Sequence, residues 1–407
     1  MSHVAAGTRR RVPLAALLAA DGVSRAGNAI TTVAVPLIAL QIAGTPLATA
    51  AAGVAATLPL VLGGVLGGVV VDRLGFRRAS IIADAASGVT VLAVPLLAAV
   101  GALELWMLLV LVFISNLLDV PGSAARRSQL PELAETAGIT LSRAAAAQAT
   151  VSRSATMVGA AAAGALVALA GPASAMYVNA GAFVVAIALT IVFVPTVHLG
   201  VASTAVDRSG WRGLTAGIRF VLTTPLVRAI VVMVVVTNAV DTAGLTVLKP
   251  LYAQSLGHDG VELGIMVACF AGGALLGAVL YGIVGDRVPR RLLYVTLFLL
   301  AGPPAYLVLA LAPPFPVIVV VLALCGVAAG PLNPLIDSAL YGIIPPTIRA
   351  RVLGAITAGV TAAMPLGSLL AGIGVDALGL TGALLVAAAV YLAAILATSF
   401  GRRWRGF

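Results

Sequence analysis

Apolar runs of twenty residues or more, each closed by a short polar gap, recur from one end of the chain to the other. The pattern predicts helices over roughly 13–42, 46–71, 77–100, 104–126, 141–170, 173–196, 222–253, 260–284, 291–312, 315–343, 351–376 and 379–400. A helix rises about 1.5 Å per residue, so each run is long enough to cross about 30 Å of hydrocarbon. Most gaps are short, which makes consecutive helices antiparallel neighbours. The longest polar gap, 198–219, carries Ser203, Thr204, Asp207, Arg208, Ser209, Gly210 and Arg212 near the chain midpoint. It reads as a cytoplasmic linker between an N-terminal six-helix half, 1–197, and a C-terminal six-helix half, 220–407. The expected fold is an all-α membrane protein: twelve transmembrane helices in two pseudo-symmetric six-helix halves.

Composition agrees with this reading. Of the 407 residues, 61% are hydrophobic and 9% charged, against about 25% charged in a soluble domain. Twelve spans fill the length, so no large extramembrane domain is expected. The formal net charge of +10 raises the question of nucleic acid, but the arginines fall in small clusters between apolar runs and build no continuous basic face. The clusters occupy alternate gaps: Arg9–Arg11, Arg73/Arg77/Arg78, Arg126/Arg127/Arg143, Arg208/Arg212/Arg219, Arg287/Arg290/Arg291, Arg349/Arg351 and Arg402/Arg403/Arg405. The intervening gaps carry Glu104, Asp259, Glu262 and Asp376 instead, and Lys249, the sole lysine, sits near one of them. By the positive-inside rule both termini are cytoplasmic. The first apolar run, interrupted by Asp21, Arg25 and Asn28, is too long for a signal peptide and reads as a retained span. Cys269 and Cys325 both lie in apolar runs, with no disulfide framework or metal-ligand spacing. Neither a metal nor any other cofactor is expected.

The two halves repeat each other. At an offset of 214, Pro36 meets Pro250, Gly68 meets Gly282, Asp72 meets Asp286 and Arg73 meets Arg287. Pro121 pairs with Pro334, and at 208 Arg143, Gly159, Gly164 and Gly171 meet Arg351, Gly367, Gly372 and Gly379. The gap between the second and third helices reads Gly68-x-x-x-Asp72-Arg73-x-Gly75-x-Arg77-Arg78, with a degenerate copy, Gly282-x-x-x-Asp286-Arg287-x-Pro289-Arg290-Arg291, in the second half. With these residues the sequence resembles the major facilitator superfamily over essentially its whole length. The resemblance implies that the cluster latches the two halves in the outward-open state. Asp72 would face a helix N-terminus, and Arg73 and Arg77 would pair with acids on neighbouring helices. Asp119-x-Pro121-Gly122 with Arg126, Gly330-Pro331-x-Asn333-Pro334, and Pro345-Pro346-x-x-Arg349-x-Arg351 are similar to the drug- and siderophore-exporting branches. Those exporters usually carry a Gly-Pro-rich fifth helix; here Gly159-Ala-Ala-Ala-Ala-Gly164 lacks the proline, and a closer version, Met364-Pro365-Leu366-Gly367, lies in the eleventh.

Charge inside a bilayer is expensive and needs a cavity or a partner. The resemblance implies that helices 1, 4, 7 and 10 line a central cavity. Their polar residues are therefore the candidates for a proton and substrate pathway: Asp21, Arg25 and Asn28; Asn116 and Asp119; Asn238 and Asp241; Asn333 and Asp337; with Arg153 on helix 5. Asp21 and Arg25 are four apart and share a helix face, which leaves open a self-neutralising structural pair. The functional alternative is proton exchange at Asp21 and Asp119, with Arg25 or Arg153 responding, and substrate or a second proton at Asp241 and Asp337. Asp84 reads as a structural partner for the signature-gap arginines. His3, His198 and His258 lie in the tail or gaps without metal-ligand company.

The function expected is secondary active transport by alternating access: proton-coupled export of a small hydrophobic or amphipathic compound, by a monomer in a bacterial inner membrane. An uptake symporter is the alternative within the class; aromatic content of 5% is low for a sugar site. A membrane sensor and a membrane enzyme are the alternatives outside it. No nucleophile–base arrangement and no phosphate-binding loop are present, so an enzyme is not expected and the energy must come from an ion gradient. The partners are a small-molecule substrate, a coupling ion, H⁺ in preference to Na⁺, and the lipid bilayer.

Overall fold

A computed structural model describes residues 2–195, 210–257, 261–284, 290–345 and 348–399, and every regular element among them is helical. The order is α1 (Ser2–Ala43), α2 (Pro46–Leu74), α3 (Phe76–Ala99), α4 (Leu105–Thr136), α5 (Leu141–Ala170) and α6 (Pro172–Phe193), followed by α7 (Gly210–Thr223). Next come α8 (Pro225–Ala243), a π-helical turn (Gly244–Leu248), α9 (Lys249–Ser255), α10 (Val261–Val284), α11 (Arg290–Ala301) and α12 (Pro303–Leu311). The chain continues through α13 (Phe315–Ala329), α14 (Leu332–Ile343) and α15 (Arg349–Ser399). Among the described residues nine helices are long and apolar enough to cross a membrane, and Pro46–Leu62 is a shorter apolar stretch. Large apolar side chains such as Val89, Val184, Leu311 and Leu324 stand exposed on these helices. A surface of that kind needs hydrocarbon as its solvent, and the chain is a multi-pass membrane protein.

Helix ends depart from the sequence pattern in instructive ways. The fourth helix, expected to stop at Arg126, continues ten residues to Thr136, through Pro131, and ends just ahead of Gly138, whose φ of 68° is left-handed. Arg126 is thereby mid-helix. The ninth helix breaks at Gly302, ahead of Pro303 and Pro304, and the tenth breaks near Gly330 and Pro331; proline supplies no N–H and clashes with the preceding turn. The eleventh and twelfth form one run, α15, broken by Gly379, whose φ of 72° is left-handed. Gly171, its repeat partner, breaks the chain between α5 and α6 with a φ of 81°. Side chains with a Cβ avoid this region, so glycine is the physical requirement at both places.

The chain divides into two compact units. One comprises 1–44, 55–200 and 259–264, the other 45–54, 201–258 and 265–407. In the first unit α1 packs against α4, α5 and α6, and α3 packs against α4 and α6. In the second α15 packs against α7, α8 and α12, and α13 against α11 and α12. The same contact recurs in each. A Cβ on Gly159 of α5 would strike the backbone of Ala26 in α1, and one on Gly367 of α15 would strike the backbone of Ala239 in α8. Small residues that let backbones touch are the usual substitute for hydrophobic driving force between helices in lipid.

Candidate functional site

Five charged side chains from three helices of the first unit converge inside it. Arg126 of α4 is the hub, with 1% of its side chain exposed. Its Nη1 donates to both carboxylate oxygens of Asp84 on α3, each at 2.8 Å. Its Nε donates to Asp21 Oδ1 on α1 at 3.3 Å, and its Nη2 to Ser24 Oγ at 3.4 Å. Asp21 Oδ2 accepts from Arg25 Nε at 2.9 Å. Asp21 and Asp84 are 1% and 0% exposed, whereas Asp119 is 22% and Arg25 33% exposed. Asp119 is held more loosely: Asn28 Nδ2 donates to its Oδ2 at 3.1 Å, and Arg126 Nη2 lies 3.7 Å from its Oδ1.

Helix geometry explains the convergence. Asp21, Ser24, Arg25 and Asn28 follow three- and four-residue spacing and share one face of α1. Gly122 lies one turn before Arg126, and a Cβ there would press on Ala83. Glycine thus brings α4 close enough to α3 for Arg126 to reach Asp84, the residue after Ala83. A guanidinium presents five donors in a planar fork, so one arginine can serve several acceptors, which a lysine cannot.

Charge bookkeeping gives the arrangement its chemistry. With every group ionised, three carboxylates (Asp21, Asp84, Asp119) face two guanidiniums (Arg25, Arg126). Arg127 is exposed and tied to Ser123 on its own helix. The buried cluster is one charge negative, and one proton neutralises it. Asp119 combines exposure with the weakest hold among the three acids.

The second unit has a different polar grouping. The Tyr306 hydroxyl of α12 sits against Val240 O at 2.9 Å and Asp241 Oδ1 at 3.3 Å, both on α8. Gly244 leaves room for that hydroxyl, since a Cβ there would press on it. Lys249, at the start of α9, holds its Nζ 5.1 Å from the centre of the Phe270 ring. Its charge and that of Asp241 act on each other. Asp241 therefore has a basic neighbour, which four-residue spacing along its helix does not reveal.

The remaining candidates are placed as follows. Asn116 and Asn238 turn their amides back onto Val112 O at 2.9 Å and Val234 O at 2.8 Å of their own helices. Asn333 and Asp337 are exposed on one face of α14, and Arg153 is exposed on α5. Gly75 takes a φ of 75°, as a tight turn between α2 and α3 requires. Among the described residues Arg77 meets no acid. It donates to Thr190 O at 3.5 Å and Ile191 O at 2.6 Å, near the C-terminus of α6, where unpaired carbonyls and the helix dipole attract a cation. Arg78 and Gly282 are exposed. The side chains of Asp72 and Arg73 and the surroundings of Gly68, together with Asp286, Arg287, His198 and His258, lie outside the described residues. Asp84 meets Arg126, and among the described signature-gap arginines neither Arg77 nor Arg78 bonds to it.

Arg126 is the residue whose part in the cluster the sequence pattern did not show. Beside Arg127 and Arg143 it reads as one more cytoplasmic anchor. The available signal was its position one turn after Gly122 and its seven-residue separation from Asp119, which puts it two turns along the same face.

Comparison with known proteins adds the following. A family described as Major Facilitator Superfamily matches residues 231–404. A multidrug efflux pump, Tap, of Mycolicibacterium fortuitum is 34% identical over 379 residues, covering 91% of each chain. A protein of the same description from Mycobacterium tuberculosis (strain ATCC 25618 / H37Rv) is 34% identical over 377 residues, covering 91% of this chain and 88% of its own. Among solved structures, a D323A mutant of the nucleoside transporter NupG superposes with a TM-score of 0.76 at 14% identity, covering 95% of this chain and 100% of that one. A bacterial homologue of the iron transporter ferroportin, in an inward-facing state, superposes with a TM-score of 0.64 at 14% identity, covering 95% and 98%.

Proposed function

The chain belongs to the major facilitator superfamily, and from that premise we propose that it exports a small hydrophobic or amphipathic compound across a bacterial inner membrane in exchange for protons. Whole-length similarity to multidrug efflux pumps supports export. The buried cluster around Arg126 supports the proton as coupling ion, and it is the observation that carries the reading. A transporter that couples two fluxes needs a group whose charge changes where the charge matters. Asp119 is that group. Deprotonated, it accepts from Asn28 and attracts Arg126 across 3.7 Å. Protonated, it loses the attraction, and Arg126 is left to Asp21 and Asp84. Those two acids are clamps: each has a direct guanidinium bond, and both are buried. Desolvation disfavours charge in any such place, and the clamped acids are compensated by their direct bonds.

The twelve-helix arrangement belongs to the same proposal. The described helices that qualify as spans number nine. Counting α15 as two spans at Gly379, and adding α2 and α5, brings the set to twelve. We place 1–197 and 220–407 as the two six-helix halves, with the linker 198–219 and both termini on the cytoplasmic side. The latch residues of the signature gap, Gly68, Asp72, Arg73, Gly75, Arg77 and Arg78, and their partial copy remain the proposed conformational lock, Arg77 acting through the α6 carbonyls. Asn116, Arg153, Asn238, Asp241, Asn333 and Asp337 are proposed to border the substrate path.

The test is transport into inverted membrane vesicles. Wild type accumulates a lipophilic dye when a pH gradient is imposed. Asp119→Asn, a permanent mimic of the protonated acid, is expected to lose gradient-driven accumulation and keep dye exchange down its own gradient. Wild-type pH-gradient dependence in this variant sinks the proton assignment.

A further inference from the structure

The two units share a repeated frame but differ by one residue inside the seventh span. Before the π-helical turn, the Gly159–Ala26 contact corresponds to Gly367–Ala239, which relates Ala26 to Ala239. After it, Pro36 corresponds to Pro250 at an offset one larger. The π turn Gly244–Leu248 lies between these anchors, and a wider turn is how a helix absorbs a single extra residue without losing its axis. Such turns concentrate at functional sites because they re-aim the side chains that follow. Here they follow Asp241, the counterpart of Asn28, and precede Lys249, the counterpart of Val35.

The extra residue sets a cation and an anion on either side of the widened turn. Their Cα atoms are separated by roughly 12 Å of helix axis at 1.5 Å per residue. Helical side chains lean towards the N-terminus, so Lys249 reaches back towards Asp241. The two charges interact, yet no contact ion pair is formed by Lys249 among the described residues. Each end is separately braced. Tyr306 holds Asp241 by a hydroxyl at 3.3 Å, and the Phe270 ring faces the Lys249 ammonium at 5.1 Å. Asp241 is exposed and Lys249 half-buried. Opposite charges on one helix that make no ion pair with each other, each with its own support, are both available to a molecule carrying the complementary pair.

We propose that Asp241 and Lys249 form a dipolar subsite, taking the cationic and anionic groups of a zwitterionic amphipathic compound. This rests on the export reading above and names the substrate class. A purely cationic compound would meet Lys249, and a purely anionic one Asp241, so net-neutral dipolar molecules are preferred on electrostatic grounds. Charged groups in low dielectric discriminate strongly against an unpaired partner.

Rhodamine B, a zwitterion through its carboxylate and cationic ring system, and its ethyl ester, a cation of nearly equal size, make a matched pair of probes. Binding to the purified full chain in detergent is read by dye anisotropy. Wild type is expected to bind rhodamine B about tenfold more tightly than the ester, the size of one charge-assisted contact. Lys249→Gln should bring the two within about twofold, by weakening rhodamine B and relieving the repulsion felt by the ester. Asp241→Asn should weaken both dyes. If Lys249→Gln does not fold, Lys249→Met keeps the stem and reads the same ratio. A ratio unchanged by the Lys249 variant, or no preference in wild type, overturns the subsite. Vesicle transport of the same dyes separates the two readings. Binding preference without gradient-driven transport removes the export reading alone, and transport of both dyes with no Lys249-dependent preference removes the subsite alone.

Discussion

Arg126 is an arginine in a place where nearly every alternative is destructive. Its three nitrogens serve Asp84, Asp21 and Ser24 at once, and its side chain is buried among them. Removing one partner of a buried charge pair leaves the others uncompensated, at a cost of about 3–5 kcal/mol. Arg126→Ala is therefore expected to lose most of its folded yield and to lower the detergent unfolding midpoint by many degrees. Arg126→Lys should recover only part, since an ammonium cannot present the same fork to two carboxylates. Arg127, its exposed neighbour on the same helix, supplies the control. Arg127→Ala should leave the midpoint within about a degree or two, in keeping with the small worth of exposed charges. Equal losses at both positions would mean that the cluster is not organised around Arg126.

Helices in this protein meet at glycines, and the meeting points decide where the charged residues fall. Gly159 admits the backbone of Ala26, within one turn of Asn28 and Arg25 on α1. Gly122 admits Ala83, next to Asp84. Gly159→Val is expected to separate α1 from α5 and cost about 1–3 kcal/mol through overpacking, seen as a lower unfolding midpoint together with weaker proton coupling. The same substitution at Gly181, beside which an added Cβ would meet nothing, should lose little stability. Span existence was legible from apolar run length, because hydrocarbon thickness sets a minimum length that few other constraints mimic. Span interruptions were less so. The π turn in the seventh span contains no proline and coincides with a one-residue difference from its repeat in the first unit, which a local pattern does not contain. The extension of α4 to Thr136 was likewise missed, since polar residues signal the end of an apolar run and not the end of a helix.

At the scale of the whole molecule, a repeated frame carries unequal chemistry. The counterparts of Asp21, Asp84 and Arg126 in the second unit are Val234, Phe298 and Ala339, the last two buried. The second unit places Asp241, Lys249 and Tyr306 where the first has Asn28, Val35 and Leu92. In the function proposed above, the first unit holds the proton and the second the dipolar ligand. The orientation proposed for the chain has its own check. Arg77→Cys and Arg290→Cys, each in a background with Cys269 and Cys325 replaced, should react with a membrane-impermeant maleimide only in inverted vesicles. Labelling of one from each side would break the alternation of basic gaps on which the topology rests.

The sequence alone determined that hydrocarbon surrounds this chain, that it is helical throughout its spans, that it repeats, and that its family is one of transporters. These properties are written in run length, charge alternation and a short motif, all of which act locally or through the solvent. It also identified Asp21, Arg25, Asn28, Asp119 and Asp241 as intramembrane polar groups in need of partners. Which partners they have was decided by tertiary structure. Arg126 reads as an anchor until α3 and α1 are packed around it, and Lys249 reads as a stray basic residue until packing sets its ammonium 5.1 Å from the Phe270 ring. A charge takes its role from whatever lies within a few ångströms in space, and neighbours 42 or 105 positions away in the chain are set by helix packing, which no spacing along one helix encodes.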